Sequence, residues 1–261
     1  MPRPSSHPKN MPTRVRLNKF LRDCRLGSRR KCEQLVLDGL VAIDGKPVTE
    51  IGTLVDPAHD RVEVGGKVVR PFEELIYIAA HKPRGVVVSA SDPSGRKTIY
   101  ESIRRLPRAV FTVGRLDMDS EGLIILTNDG NLAFRLAHPR YAIERVYEVR
   151  IRGDAADDLL EGLRRGVLLE DGVAKAKRVE PVRRGEQTVT IRLTLTEGKK
   201  HEVRRMIAAC GYEVVRLKRV RFANVELGRL AAATWRNLTR DEIRGLRRLV
   251  QESYERSCGH D

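Results

Sequence analysis

The residues best able to do chemistry lie in one stretch, Val113-Gly114-Arg115-Leu116-Asp117-Met118-Asp119-Ser120-Glu121-Gly122, which runs into Leu123-Ile124-Ile125-Leu126-Thr127-Asn128-Asp129-Gly130. Asp117, Asp119 and Glu121 alternate between a glycine turn and an apolar run. Leu123 to Leu126 predicts a buried strand, and Asn128-Asp129-Gly130 a turn that closes it. Carboxylates on the lip of a buried strand are unfavourable, because desolvation opposes their charged form. A calcium loop would use Asp117, Asp119 and Gly122 as its first, third and sixth positions, but Asn128 stands where a bidentate Glu is needed. A glycosidase would place two carboxylates across a bond, which spacing alone does not decide. A solvated turn would need no chemistry at all.

Elsewhere, His201-Glu202 begins like a zincin helix, but the fifth position is Arg205. Cys24, Cys32, Cys210 and Cys258 form no C-x-x-C pair, so neither structural zinc nor a disulfide scaffold is expected, and a reducing cytoplasm fits. There is no P-loop or Rossmann glycine pattern.

Among the elements that must position these residues, Leu75 to Ala80 reads as a strand. His81-Lys82-Pro83-Arg84-Gly85 then turns into a second strand at Val86 to Val88. Ile99 to Leu106 is a short helix, and another runs from Asn131 until Pro139 ends it. Glu144 to Ile151 alternates as a strand, Asp154 caps a helix over 155–165, and Thr188 to Thr196 is a strand with Val189, Ile191, Leu193 and Leu195 on one face. A helix from His201 to Cys210 ends at Gly211. Strands follow around Tyr212 to Leu217 and Val225 to Leu227. Thr239-Arg240-Asp241-Glu242 is a capping box, with Leu238 and Ile243 as its staple, and predicts a last helix of about 14 residues.

The chain of 261 residues carries 50 Lys+Arg against 35 Asp+Glu, a formal charge of +15. Such a field attracts nucleic acid or an anionic membrane. No apolar run approaches the ~20 residues of a membrane span, so no membrane is expected. Residues 1–13 read as a basic, disordered tail with no secretory signal. From Arg14 two helices follow: Leu17, Phe20, Leu21 and Cys24 face inward, and Ser28 caps the second helix. Hairpins then turn at Asp44-Gly45 and Gly65-Gly66. Arg14, Arg16, Lys19, Arg22, Arg29, Arg30 and Lys31 are opposed in this span mainly by Asp23. Arg29, Arg30 and Lys31 fall in the first turn of a helix, where the macrodipole disfavours cations. Badly placed and unopposed cations point to phosphate contact.

The run from Arg14 to Val48 resembles the RNA-binding domain named after ribosomal protein S-four. Gly114-Arg115-Leu116-Asp117, Ser120-x-Gly122-Leu123 and Leu126-Thr127-Asn128-Asp129-Gly130 resemble the signature of RNA pseudouridine synthases of the RsuA/RluB branch. Lys82-Pro83-x-Gly85, Arg145-x-Tyr147-x-Val149 and Glu197-Gly198-Lys199-Lys200-His201-Glu202-Val203-Arg204-Arg205-Met206 match further motifs of that branch in order. Arg145 stands where Lys is commoner, and Ser120 where many relatives have Thr.

The resemblance implies an α+β chain: a tail over 1–13, an RNA-binding domain and linker over 14–74, a catalytic domain with a mixed, mainly antiparallel sheet over 75–238, and a C-terminal helix and tail over 239–261. It implies Asp117 as the catalytic aspartate, Arg204 as its ion-pair partner, and Tyr147 stacked on an extruded uracil. Arg115 would fill the gap left by the flipped nucleotide or hold its phosphate. Lys82, Lys199, Lys200 and Arg205 are further expected RNA contacts, the last three within a second basic concentration that includes Arg216, Lys218, Arg219 and Arg221. Neither metal nor cofactor is implied. The expected substrate is ribosomal RNA, 23S before 16S given the basic N-terminal module and the extension beyond Trp235, acted on by a cytoplasmic monomer. The competing class is a non-catalytic RNA-binding or ribosome-assembly protein, which would have no need of a carboxylate among so many cations.

Overall fold

The computed structural model describes residues 14–71, 74–107, 110–154 and 157–258. The expected tail over 1–13 lies outside the described residues, as do residues 155–156, where the helix capped by Asp154 is expected to begin. The chain divides into a unit ending at Leu75 and a larger one beginning at Ile76.

In the first unit, β1 (Val15–Arg16) leads into α1 (Leu17–Asp23) and α2 (Arg29–Leu37). Then come β2 (Val41–Ile43), β3 (Lys46–Val48), β4 (Leu54–Val55), β5 (Val62–Val64) and β6 (Lys67–Val68). Ser28 caps α2 by accepting from the Lys31 amide at 3.3 Å. Leu17, Phe20 and Leu21 of α1 pack with Cys32 and Val36 of α2 and with Val41, Val55 and Val62 of the strands. The first helix therefore buries Leu17, Phe20 and Leu21 of the face that its spacing predicts, with Cys24 half-buried.

In the second unit, β7 (Tyr77–Lys82) is followed by α3 (Ile99–Ser102), β8 (Phe111–Thr112), β9 (Glu121–Thr127) and α4 (Gly130–Ala137). A 3-10 turn, Pro139–Tyr141, leads to β10 (Arg145–Arg152), α5 (Asp157–Arg165), and a hairpin of β11 (Val167–Leu169) and β12 (Gly172–Ala174). The chain continues with β13 (Arg178–Arg184), β14 (Thr188–Leu195), α6 (Glu202–Ala209), β15 (Val214–Phe222), β16 (Val225–Glu226), β17 (Trp235–Asn237) and α7 (Arg240–Cys258). The expected strand at Val86–Val88 is not formed. Gly85 donates to Met118 O at 2.8 Å, and after that turn only Val87 bridges, to Thr98. The last helix is longer than expected, at 19 residues. Its capping box is in place, with Glu242 N donating to Thr239 Oγ1 at 3.2 Å and Thr239 N to Glu242 Oε2 at 2.8 Å.

The main sheet runs β13-β14-β10-β15-β9-β7-β17, with β16 on β15 and β8 on β9. Its neighbours are antiparallel except at β15 and β9, which run parallel with Lys218 opposite Glu121 and Arg219 opposite Gly122. The sheet is thus two antiparallel halves joined at one parallel seam. On one side of the seam, Val149, Ile191 and Leu193 bury against Leu159 and Leu163 of α5 and Met206 and Ile207 of α6. On the other, β9 is buried on both faces, which explains its unbroken apolar run. Leu123 and Ile125 pack toward α4 and α7, while Ile124 and Leu126 pack toward Ile99 and Ile103.

Candidate active site

Asp117 lies on the loop that enters β9 at the seam. Ser120 N donates back to Asp117 O at 3.1 Å, closing a tight turn. Lys82, at the end of β7, is fully buried beneath it. Its Nζ donates to the carbonyls of Ser120 at 2.6 Å, Pro83 at 3.1 Å and Met118 at 3.2 Å. The expected RNA contact at Lys82 is therefore corrected: its ammonium is spent on the loop. Burial pulls its pKa down to about 8, against the opposing pull of Asp117, Asp119 and Glu121. Buried lysine answers the puzzle of the acidic lip, since the carboxylates offset a charge held behind them. Glu121 pairs with Arg216 at 2.5 Å.

The loop opens on a cavity of about 280 Å³. Asp117, Arg115 and Ser120 line it from the loop, Tyr147 from β10, Arg219 and Phe222 from β15, and Lys199, Lys200 and His201 from the turn before α6. Tyr147 and Arg219 stand opposite one another in the β10–β15 register. A larger cavity of about 710 Å³ lies by the 3-10 turn and α7, lined in part by Glu144, Lys177 and Arg221. Lys177 and Arg221 both pair with Glu144 there, at 2.7 and 3.3 Å, so those charges already have partners.

The expected Arg204–Asp117 pair is not formed. Asp117 Oδ2 instead meets His201 Nδ1 at 3.2 Å. Arg204 Nη2 donates to Asp119 O at 3.2 Å and Nη1 to Val214 O at 3.4 Å, so this arginine braces the acidic loop against β15. His201, with φ 52 and ψ 27, takes a left-handed step at the head of α6. Arg205 is corrected too. Asp171, in the turn between β11 and β12, holds it with two hydrogen bonds of 2.7 and 2.9 Å. Arg145 is buried, its guanidinium reaching the carbonyls of Ile143, Leu136, Ala137, Thr196 and Glu197. Arg115 is exposed, as an RNA contact requires. In the first unit Arg14, Arg16, Arg29, Arg30 and Lys31 are exposed, while Arg22 pairs with Asp23 at 2.6 Å and Lys19 is half-buried.

The profile of the RNA pseudouridylate synthases matches residues 76–209, and that of the S4 domain residues 15–62. The chain belongs to the RNA pseudouridine synthases, in the RsuA/RluB branch. It is 42% identical over 239 residues to the ribosomal large subunit pseudouridine synthase B of Bacillus subtilis, covering 90% of this chain and 96% of that one. It is equally 42% identical, over 241 residues, to an "uncharacterized RNA pseudouridine synthase" of Aquifex aeolicus, covering 92% and 96%. A solved pseudouridylate synthase superposes with a TM-score of 0.62 at 29% identity, covering 89% of this chain and 99% of that one.

In this synthase two site residues are not apparent from the sequence pattern. His201 reads there as the opening of a failed zinc motif, and Arg219 as one more surface cation in a basic run. Only the fold brings His201 to Asp117 and buries Arg219. No helix among the described residues is long and apolar enough to cross a membrane, and among them no three ligating side chains gather as a metal site would require.

Proposed function

We propose that this synthase converts a uridine of ribosomal RNA, in the 23S RNA of the large subunit, into pseudouridine. The observation that carries the reading is Asp117 at the mouth of a cavity walled by Tyr147, on a loop clamped from behind by Lys82. The resemblance to the Bacillus subtilis large-subunit enzyme over nearly its whole length supports the choice of RNA. The target uridine flips into the cavity, as enzymes acting on a base within structured nucleic acid require. Asp117 acts on the ribose, as nucleophile at C1′ or as a base on the sugar. Tyr147 stacks on the uracil, and Arg204 acts as a positioning residue through the carbonyl of Asp119. Arg115, Lys199 and Lys200 take phosphates around the mouth. Arg14, Arg16, Lys19, Arg29, Arg30 and Lys31 supply a second, sequence-independent grip. The isomerisation is redox-neutral and draws on no cofactor. The protein works as a monomer in the cytoplasm, where its substrate is.

The test is to incubate unmodified 23S and 16S RNA separately with wild type and with Asp117→Asn, then map pseudouridine chemically. Product on 23S alone, lost in Asp117→Asn, is expected. Product on 16S alone moves the substrate to the small subunit. Activity surviving in Asp117→Asn sinks the assignment of the aspartate, and no product on either RNA returns the chain to a binding role.

A further inference from the structure

The cavity contains a buried cation whose hydrogen-bonding capacity the fold leaves partly unused. Arg219 is 2% exposed. Its Nε donates to Leu123 O at 2.7 Å, and Nη1 reaches Arg115 O at 3.5 Å. Its Nη2 is buried without an acceptor. Both partners are main-chain carbonyls, and among the described residues no carboxylate forms an ion pair with it. Its guanidinium also lies over the Phe222 ring, 5.2 Å from the centroid.

Arginine cannot escape burial by shedding its proton, as a lysine can. An unmet donor in such a place carries its full desolvation penalty uncompensated. Arg145 gives an internal comparison. It is 7% exposed, its guanidinium also lies over Phe222, and its two terminal nitrogens share five carbonyls. The fold can therefore satisfy a buried arginine on this ring, and at Arg219 it does not.

The exposed cations at the mouth, Arg115 and Lys200, suit phosphates. Arg219, being buried, is accessible only to the part of a flipped nucleotide that enters furthest, which is the base. The next step rests on the proposed reaction. Breaking the bond from N1 to C1′ leaves the electron pair on uracil, where it spreads over N1, O2 and O4. Bond formation from C5 to C1′ returns a pair to the sugar, the C5 proton then leaves to a base, and N1 takes up a proton, which leaves the product ring neutral. Between those steps the free ring is an anion. A fixed cation in a water-poor site stabilises such charge far more than one at the surface.

We propose that Arg219 is a catalytic residue, donating through Nη2 to a carbonyl oxygen of the flipped uracil and stabilising the negative charge on the detached ring. Whether O2 or O4 receives the bond is read by sulfur substitution at each.

The test uses the full chain and an RNA transcript that the wild type modifies, with single-turnover rate and RNA affinity measured separately. Arg219→Gln should slow the single-turnover step by roughly 10²–10³-fold, while RNA affinity stays within about threefold because phosphate contacts dominate it. Arg219→Lys, which keeps a charge, should recover part of the rate. Transcripts with 2-thiouridine or 4-thiouridine at the target provide the direct readout. One of the two should slow the wild type and have no further effect on Arg219→Gln. If Arg219→Gln does not fold, the same comparison is made with Arg219→Met, which fills the space without a donor. Thio effects of equal size in wild type and variant overturn the assignment, as does a variant at the wild-type rate. Those outcomes leave the proposed reaction standing; a wild type inactive on every ribosomal transcript removes both.

Discussion

Gly122 of β9 lies directly against Arg219 of β15 across the parallel seam. A Cβ on Gly122 would sit 2.3 Å from Arg219 O and 2.7 Å from its N, and the glycine holds φ at +111°. Any side chain there must push two backbones apart and adopt a conformation that L-residues rarely take. Since Asp117 and Arg219 sit on the two sides of this seam, the glycine sets the distance between the loop and the cavity.

Gly122→Ala should therefore destabilise the larger unit by about 3 kcal/mol or more, from overpacking and backbone strain together. Trp235, the single tryptophan, lies on β17 and reports that unit's denaturant unfolding by fluorescence. A loss below about 1 kcal/mol, within the range of an ordinary surface change, would mean that the seam has slack.

The Asp117–His201 contact leads to a second expectation. His201→Ala should slow the single-turnover step by about tenfold, equivalent to some 1.4 kcal/mol in the barrier. The size is modest because both side chains are partly exposed, His201 at 47% and Asp117 at 32%, and solvent screens the contact. RNA affinity should not change. A rate equal to wild type would leave the histidine as a mere neighbour.

Lys82 and the N-terminal triplet separate two kinds of cation by one measurement. Lys82→Met should reduce the single-turnover rate by about 10²-fold or more by loosening the loop that carries Asp117. It should leave the salt dependence of RNA binding unchanged, because a buried ammonium releases no counterions. A shallower salt slope in Lys82→Met would return this lysine to the RNA interface.

Arg29/Arg30/Lys31→Ala should do the opposite. These side chains are exposed at the head of α2 and form no ion pair among the described residues. Each lost phosphate contact should flatten the log–log salt slope by roughly 0.7 to 0.9, with the single-turnover rate at saturating enzyme preserved. An unchanged slope would remove the triplet from the interface.

The contrast between these cations marks what can be read in the sequence. β9 announces itself because both of its faces are buried, and α7 because its capping box is a local signal. Edge strand β13 does not, since only Val179 in its charged run is buried. The burial of Lys82 and Arg219 is equally hidden, because it depends on partners far away in the chain. Ser120 O is 38 residues from Lys82, and Leu123 O is 96 from Arg219. Asp117 and Tyr147 were legible as motif residues, and both line the cavity. The partner of Asp117 was not, because His201 lies far from it in the chain and meets it only in the fold.

Glu202 offers a pH-dependent test of the α6 wall. It is 4% exposed, and its Oε2 accepts from Lys199 N at 3.0 Å. Burial first, then the neighbouring Glu197, raises its pKa from 4.5 to about 7. In the unfolded chain the group loses its proton near the ordinary value. Between about pH 4.5 and 7 the folded protein thus binds more protons than the unfolded one, and stability falls as pH rises through that window. Glu202→Gln keeps the carbonyl acceptor and removes the titration. The variant should match the wild type near pH 4.5 and exceed it at pH 8, by about 2 to 3 kcal/mol at most. Denaturant unfolding followed at Trp235 across that range checks the sign. A gap between the two proteins that does not widen with pH would show that the carboxyl titrates near its ordinary value despite its burial.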